Sequence, residues 1–175
     1  MLDVEVVPLV VSAAVCIALA VLGNLWVGDA LKTWYPSLAK PRLLPPLWAF
    51  IAVAVAVYVA EGVVLYRLLV HVSTPEGKVV AVTALAAVMV SNEAWNYAFF
   101  GLRSTLAALV GIVGFLAPLT VLMVALFAYE PVSGWLMLPY CAWVVYDVWW
   151  VHQLWRLNPG GSAVQGAMSE GTAVP

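Results

Sequence analysis

Five long apolar runs, separated by shorter polar segments, make up most of this chain. They cover residues 6–27, 47–70, 79–100, 106–128 and 135–155. The short segments 73–77 and 129–134, which contain Pro75 and Pro131, are predicted to be turns between runs. Each run is long enough to cross the hydrocarbon core of a bilayer as a helix, which takes about 20 residues. The pattern predicts an all-α membrane protein, a bundle of five transmembrane helices in one domain over residues 1–158. The Gly-, Ser- and Ala-rich residues 159–175 are predicted to form a disordered tail.

The longest polar interruption, residues 33–50, lies between the first two runs. It carries four prolines, which remove amide donors and break helices. It is also too apolar for a free loop, because it contains Trp34, Tyr35, Leu38 and Trp48. Two interpretations stay open: a lid whose aromatic side closes a cavity at the end of the bundle, or an anchor at the level of the lipid headgroups.

Composition supports a membrane location and excludes other classes. Hydrophobic residues make up 65% of the chain and charged residues 9%, whereas a soluble domain carries about 25% charged residues. The net charge of −2 gives no argument for nucleic acid as a partner. Cys16 and Cys141 both lie inside apolar runs, where a small buried side chain is expected rather than a disulfide.

The basic residues indicate an orientation. Five fall on the side of the first loop and the C-terminus, and two on the side of the acidic N-terminus. Under the positive-inside rule, the first loop and the C-terminus face the cytoplasm and the N-terminus faces outward. Nothing basic or amphipathic precedes the first run, which favours a prokaryotic inner membrane.

Three carboxylates, Glu61, Glu93 and Asp147, fall inside the predicted spans. A charge at that depth costs several kcal/mol unless it is paired, hydrated or neutralised. Either these acids are protonated or hydrogen-bonded structural groups, or they form a proton or ion pathway. A metal site is not expected, because Asp147 and His152 lie five residues apart and do not share a helix face.

Small residues recur at four-residue spacing on the second run, at Ala52, Ala56 and Ala60. Such a stripe lets helix backbones approach closely. Packing inside the bundle is the preferred interpretation, and a homodimer interface is the alternative.

Four motifs in chain order resemble the TspO/MBR family, the tryptophan-rich sensory proteins related to the mitochondrial translocator protein. The first combines Trp34-Tyr35, Leu38, Lys40-Pro41, Pro45-Pro46, Trp48, Phe50 and Tyr58. The others are Asn92-x-x-Trp95-x-x-x-Phe99-Phe100-Gly101, Pro139-Tyr140-x-Ala142-Trp143 and Trp155-Arg156-x-Asn158. Each motif is weak alone, but the ordered set is specific and spans nearly the whole chain.

The resemblance implies a five-helix bundle whose first loop folds over a pocket on the cytosolic side. Family members bind porphyrins, and some bind sterols or synthetic drugs, so a porphyrin or another tetrapyrrole is the expected ligand, with no cofactor required. Carried over by motif, the ligand-binding residues are Tyr35, Pro45, Trp48, Asn92, Trp95, Tyr140 and Trp143. Aromatic faces stack on a flat macrocycle, and Asn or Tyr meets its polar edge. Asp147 joins this set, because it shares a helix face with Trp143.

Several positions depart from the family pattern. Leu43 and Ala54 stand where tryptophans are usual, Glu61 where Met is common, and Asp147 where a small residue is usual. The nearby Trp149 and Trp150 are expected on other faces. A carboxylate in the pocket favours a cationic or hydrogen-bond-donating ligand and disfavours the propionates of a porphyrin.

These features favour a non-enzymatic sensor or carrier of a hydrophobic, tetrapyrrole-like molecule. Three alternatives stay open. The first is an enzyme that converts a porphyrin or another lipophilic substrate, and the second is a proton- or ion-coupled transporter using Glu61, Glu93 and Asp147. The third is a structural subunit of a larger membrane complex.

Overall fold

A computed structural model describes residues 5–159, and all regular structure within this range is helical. Residues 160–175, which make up nearly all of the predicted tail, lie outside the described residues. Six α-helices follow one another along the chain. They are α1 (Val6–Val27), α2 (Ala30–Thr33), α3 (Leu47–His71), α4 (Pro75–Asn96), α5 (Thr105–Tyr129) and α6 (Pro131–Leu157). A 3₁₀ turn, Tyr35–Ser37, follows α2, and a π-helical segment, Tyr97–Gly101, continues α4.

Four of the helices are long and apolar enough to cross a membrane: α1, α3, α5, and α4 together with its π-helical extension. The fifth long helix, α6, does not meet the same criterion of length and hydropathy. Its second half carries Asp147, His152, Gln153 and Arg156, which lower its hydropathy. The regular structure of residues 5–159 is therefore all helical, with four candidate spans in this range.

Two helices begin earlier than the apolar pattern predicted, and both begin at a proline. Helix α4 starts at Pro75 rather than at residue 79, and α6 starts at Pro131 rather than at residue 135. Proline suits the first turn of a helix, because the amide it lacks has no partner there and its φ angle is already helical. The segments 73–77 and 129–134, predicted as turns, therefore contribute the first turns of helices.

The core lies between α3, α4, α5 and α6. Helix α5 packs between α4 and α6, and α1 packs along α3 and α4. Fully buried aliphatic side chains fill the centre, including Val64, Leu68, Leu85, Val88, Leu122 and Leu154. Many valines and leucines on the outer faces of the helices are exposed, as expected for a surface that meets lipid.

The small-residue stripe of α3 does not pack inside the bundle as predicted. Ala52 and Ala56 are exposed, and only Ala60 is partly buried. The side of α3 that faces the core instead carries Glu61, Val64, Leu65 and Leu68. Regular spacing marks a helix face, but it does not say whether that face meets a neighbouring helix or lipid.

The connection between α1 and α3 is folded back on itself. The Lys40 ammonium donates hydrogen bonds to the carbonyls of Tyr35 (2.9 Å), Pro36 (3.2 Å) and Leu38 (3.2 Å). It also lies 4.8 Å from the centre of the Tyr35 ring. One charged side chain thus satisfies several carbonyls that the proline-rich segment leaves without backbone partners.

Helix α6 and the residue that follows it form hydrogen bonds with this connection at two points. The amide of Asn158 pairs with the backbone of Ala39, donating to its carbonyl and accepting from its N–H, at 2.9 Å each. The Tyr146 hydroxyl donates to the carbonyl of Leu43 at 3.0 Å. The loop is therefore held against the end of the bundle where α6 ends.

An ion pair joins α3 to the turn between α5 and α6. Arg67 donates two hydrogen bonds to Glu130, at 2.7 and 3.2 Å, and the N–H of Ser133 adds a third at 2.7 Å. Burial alone would raise the pKa of Glu130, but these hydrogen bonds and the charge of Arg67 lower it to about 2. The charged form of Glu130 therefore stabilises the folded state.

Acidification is expected to remove this stabilisation. A carboxyl group whose pKa falls from 4.5 to about 2 on folding contributes fully above pH 4.5 and progressively less as the pH drops towards 2. Glu130→Gln should therefore lower the melting temperature in detergent at neutral pH and flatten its dependence on pH in that acidic range. Glu76→Gln, at an exposed acid, is the control and should leave both unchanged. Equal acid sensitivity of Glu130→Gln and wild type would contradict this role.

Candidate functional site

A partly open cavity of about 470 Å³ lies between α1, α3, α4 and α6, beside the connection from α1 to α3. Its size is within the range of about 300–1,000 Å³ usual for small-molecule sites. Its walls are mainly apolar, with a few polar side chains. The lining includes Gly23, Asn24, Leu31, Tyr35, Phe50, Ala54, Tyr58, Asn92, Trp95, Asn96, Phe99, Phe100, Tyr140, Trp143, Asp147 and Trp150.

A connected group of aromatic rings lines the cavity. Phe50 of α3 packs edge-on against Trp143 and Trp150 of α6, with ring centroids 5.6 and 5.4 Å apart. Trp150 in turn packs edge-on against Trp95 at 6.3 Å, and Trp95 stacks on Phe99 at 5.4 Å and an interplanar angle of 26°. The Trp95 indole is fixed by a 3.0 Å hydrogen bond from its Nε1 to the carbonyl of Ala108. The rings are therefore held in place by neighbours rather than free to rotate.

The π-helical segment brings further rings to the cavity. It places Phe99 and Phe100 in contact, with centroids 4.6 Å apart, and both line the cavity. Trp34 and Tyr35 of the connection pack edge-on against Phe99, at 5.2 and 6.2 Å. Single π-helical turns are frequent at functional sites, because the extra residue redirects side chains relative to a regular helix.

Polar groups occupy two places in the lining. Asp147, on α6, accepts a hydrogen bond from the indole N–H of Trp150 at 2.6 Å. Across the cavity, Tyr58 and Asn96 both donate hydrogen bonds to Glu93, which lies behind the wall and is 1% exposed. The cavity thus has one carboxylate in its lining and a second one behind the Tyr58 and Asn96 side chains.

Six of the eight residues predicted as ligand-binding line the cavity: Tyr35, Asn92, Trp95, Tyr140, Trp143 and Asp147. The other two do not. Pro45 is outside the lining, and Trp48 is 71% exposed on the outer side of α3. Trp48 lies in the first turn of α3 and Phe50 two residues later, so the two side chains point in different directions and Phe50 faces the cavity.

Trp150 lines the cavity, although it was expected on another face. It lies three residues after Asp147, a spacing that places two side chains on neighbouring parts of one helix face. The hydrogen bond between them confirms their proximity. The spacing was therefore a usable signal for Trp150, whereas nothing in the pattern distinguished Phe99 and Phe100 from core residues.

A second cavity, about 520 Å³, is an open groove between α5 and α6. It is lined by aliphatic side chains with Thr120, Phe127 and Cys141. It lacks converging polar groups, which orient a ligand in most specific sites. The aromatic cavity is therefore the candidate site.

Within residues 5–159, no group of three or more His, Cys, Asp or Glu side chains is placed to hold a metal ion. Both cysteines are free and partly buried. What the cavity offers is a set of aromatic faces, amide and phenol groups, and one carboxylate. This combination suits binding of a flat, largely apolar molecule.

The fold and the cavity define an integral membrane protein with a rigid aromatic site inside a helical bundle. The model of the TspO/MBR family matches residues 12–156, so the chain belongs to this family.

Named relatives agree with this assignment. The chain is 26% identical to "Tryptophan-rich protein TspO" of Chlorobaculum tepidum over 89% of this chain and 98% of that protein. It is 29% identical to "Tryptophan-rich sensory protein" of Cereibacter sphaeroides over 83% and 87% of the two chains. It is 32% identical to "Translocator protein" of Sus scrofa over 73% and 76%.

Proposed function

We propose that this protein binds a flat, hydrophobic, tetrapyrrole-like molecule such as a porphyrin in the aromatic cavity and acts as its sensor or carrier. The observation that carries the proposal is the arrangement of Phe50, Trp95, Trp143 and Trp150, whose rings pack on one another and line a mainly apolar cavity. Aromatic faces stack favourably on a conjugated macrocycle. Sterol-like molecules, which have no such conjugated face, are expected to bind less well.

In this proposal the connection from α1 to α3 is the lid of the cavity. Tyr35 and Leu31 supply part of the lining, and the hydrogen bonds from Asn158 and Tyr146 hold the segment in place. Release of those two contacts would open the cavity towards the end of the bundle where α6 ends.

We further propose that α6 is the fifth membrane crossing. Its 27 residues span about 40 Å at the rise of an α-helix, enough for a bilayer core. The polar Asp147 faces the cavity rather than lipid. With five crossings, the basic residues place the lid and the C-terminus in the cytoplasm and the N-terminus outside a prokaryotic inner membrane. A homodimer through an exposed helix face remains a prediction.

Fluorescence titration tests the binding proposal. Protoporphyrin IX dimethyl ester, which has no ionisable carboxylate, should quench tryptophan emission of the detergent-solubilised protein with saturation at one site. Phe50→Ala should weaken this binding about tenfold, since an aromatic contact contributes about 0.5–1.5 kcal/mol beyond its buried area.

Trp135→Ala is the matched control, because Trp135 is 66% exposed and lies outside the cavity lining. It should leave the affinity unchanged. Absence of saturable quenching in wild type, or equal affinity of the two variants, would refute binding in this cavity. Illumination of the same mixture distinguishes an enzyme from a binding protein. An enzyme would form a new absorbing product in molar excess over the protein, whereas a binding protein would not.

A further inference from the structure

A polar cluster is buried between α1, α3 and α4, next to the cavity but behind its wall. Its acids are Glu61 of α3 and Glu93 of α4, which are 0% and 1% exposed. Tyr58 of α3 and Asn96 of α4 donate hydrogen bonds to Glu93. Helix α1 covers the cluster through Gly23, where a Cβ atom would meet Glu93, Tyr58 and Asn96 at once.

Glu61 differs from Glu93 in having no partner. Neither of its carboxyl oxygens makes a hydrogen bond, and no salt bridge reaches it within the described part of the chain. An isolated carboxylate in such surroundings is far less stable than the neutral acid, because no donor or cation replaces its hydration.

The two acids are brought near each other by Tyr58, which lies three residues before Glu61 on the same face of α3 and reaches Glu93 with its hydroxyl. Two negative charges buried so close together would repel each other. Two hydrogen-bond donors, Tyr58 and Asn96, stabilise a negative charge on Glu93, whereas no donor reaches Glu61. One proton held by the pair therefore resides on Glu61.

This cluster is connected to the cavity by shared side chains. Tyr58 and Asn96 line the cavity, and the same two groups are the donors to Glu93. The Tyr58 hydroxyl has a single O–H, so a molecule in the cavity that accepts a hydrogen bond from it must take that bond from Glu93. The Asn96 amide has a second N–H and can keep its bond to Glu93. The loss of a donor makes the charged form of Glu93 less favourable and the binding of a second proton more favourable.

We propose that Glu61 and Glu93 form a buried proton-binding site, and that a ligand accepting a hydrogen bond from Tyr58 causes this site to take up a proton. The coupling rests on the binding function proposed above, whereas the proton site itself does not. By linkage, ligand affinity then rises as the pH falls. The same coupling is the first requirement of proton-driven transport through these acids.

The titratable groups around Glu61 are few. Cys16 faces it from α1, Tyr58 from α3, Glu93 from α4 and Tyr140 from α6. Arg67, further along α3, forms its ion pair with Glu130 and not with Glu61. None of the groups that face Glu61 is a cation that would hold it in its charged form.

Infrared spectroscopy of the ligand-free, full-length protein in detergent tests the proton site. A carbonyl stretching band of a protonated carboxylic acid is expected at neutral pH, with a shift to lower frequency in D₂O. Glu61→Gln should abolish the component from this site, whereas Glu76→Gln, at an exposed acid, should not change the spectrum. If the carbonyl band of Glu61→Gln is the same as that of wild type, the proton site is refuted, whatever the ligand experiments show.

Calorimetry in two buffers with different ionisation enthalpies tests the coupling. Binding of protoporphyrin IX dimethyl ester, which carries no titrating carboxylate, should be accompanied by net proton uptake in wild type. Glu93→Gln should bind the ester without proton uptake, because glutamine cannot accept the second proton. Asp147→Asn, which alters the other acid at the cavity, should retain the uptake.

The outcomes separate the two proposals. Binding without proton uptake in wild type, or uptake that disappears in Asp147→Asn and persists in Glu93→Gln, would overturn the coupling alone. Absence of binding in wild type would refute the binding function and with it the coupling, while the infrared result would still decide the proton site.

Discussion

Asp147→Asn is expected to tighten the binding of protoporphyrin IX, with its two propionates, by about 30-fold. Asp147 lines the cavity, and the indole N–H of Trp150 is the donor to its carboxylate. Two like charges roughly 8 Å apart, at an effective dielectric constant of about 20, repel each other by about 2 kcal/mol, which corresponds to that factor. Asparagine keeps the shape of the side chain and can still accept the hydrogen bond from Trp150. The measurement is quenching of tryptophan fluorescence at pH 9, at which both the Asp147 carboxyl group and the propionates carry their charges.

The dimethyl ester of the same porphyrin is the matched control for this experiment. It has the same ring but no propionate charge, so Asp147→Asn should change its affinity little. A planar aromatic amine should show the opposite response and bind the variant more weakly than wild type. Equal affinity of wild type and Asp147→Asn for the free-acid porphyrin would show that Asp147 does not set the charge preference of the cavity.

The long helices were predictable because their signal is strong and repeated. A run of about 20 apolar residues has few stable alternatives to a helix in a membrane. The starts of α4 and α6 were not predicted, because Pro75 and Pro131 were interpreted as turn residues although proline also suits the first turn of a helix. Helix α6 was predicted to be a span from its apolar residues. Its polar residues lower its mean hydropathy, so it is not among the four helices apolar enough to be candidate spans.

The cavity was predictable only in part. Trp143 and Asp147 line the cavity together, because their four-residue spacing on α6 fixes a shared helix face. Trp48 lies outside the lining, since a segment rich in aromatic residues does not show which ring turns inward near the start of a helix.

The pairing of Tyr58 and Asn96 with Glu93 joins side chains from two helices. The three-residue spacing of Glu93 and Asn96 on α4 is compatible with their contact, but no spacing within one helix reports the bond from Tyr58 of α3. The sequence could therefore show that buried acids exist, but only the packing of α1, α3 and α4 shows which of them has a partner.

Gly23→Ala is expected to destabilise the protein by about 1–3 kcal/mol and to weaken ligand binding. A Cβ atom at this position would overlap Glu93 and would lie 3.1 Å from the Tyr58 hydroxyl and 3.2 Å from the Asn96 amide. Either α1 must move away from α4, or Glu93 must give up a donor while it stays buried. Overpacking and loss of a buried hydrogen bond each cost about this much. Thermal unfolding in detergent, followed by circular dichroism, measures the loss.

Gly114→Ala is the matched control, since a Cβ atom there meets no other atom within 4 Å. The same change should be neutral or stabilise helix α5 by about 0.5–1 kcal/mol, the usual preference of a helix for alanine over glycine. Glu93→Ala in the Gly23→Ala background removes the overlapping carboxylate. The two changes should therefore cost less together than the sum of their separate costs. Equal stability of Gly23→Ala and Gly114→Ala would contradict the close contact of α1 with the buried acids, and strictly additive costs would locate the damage elsewhere in α1.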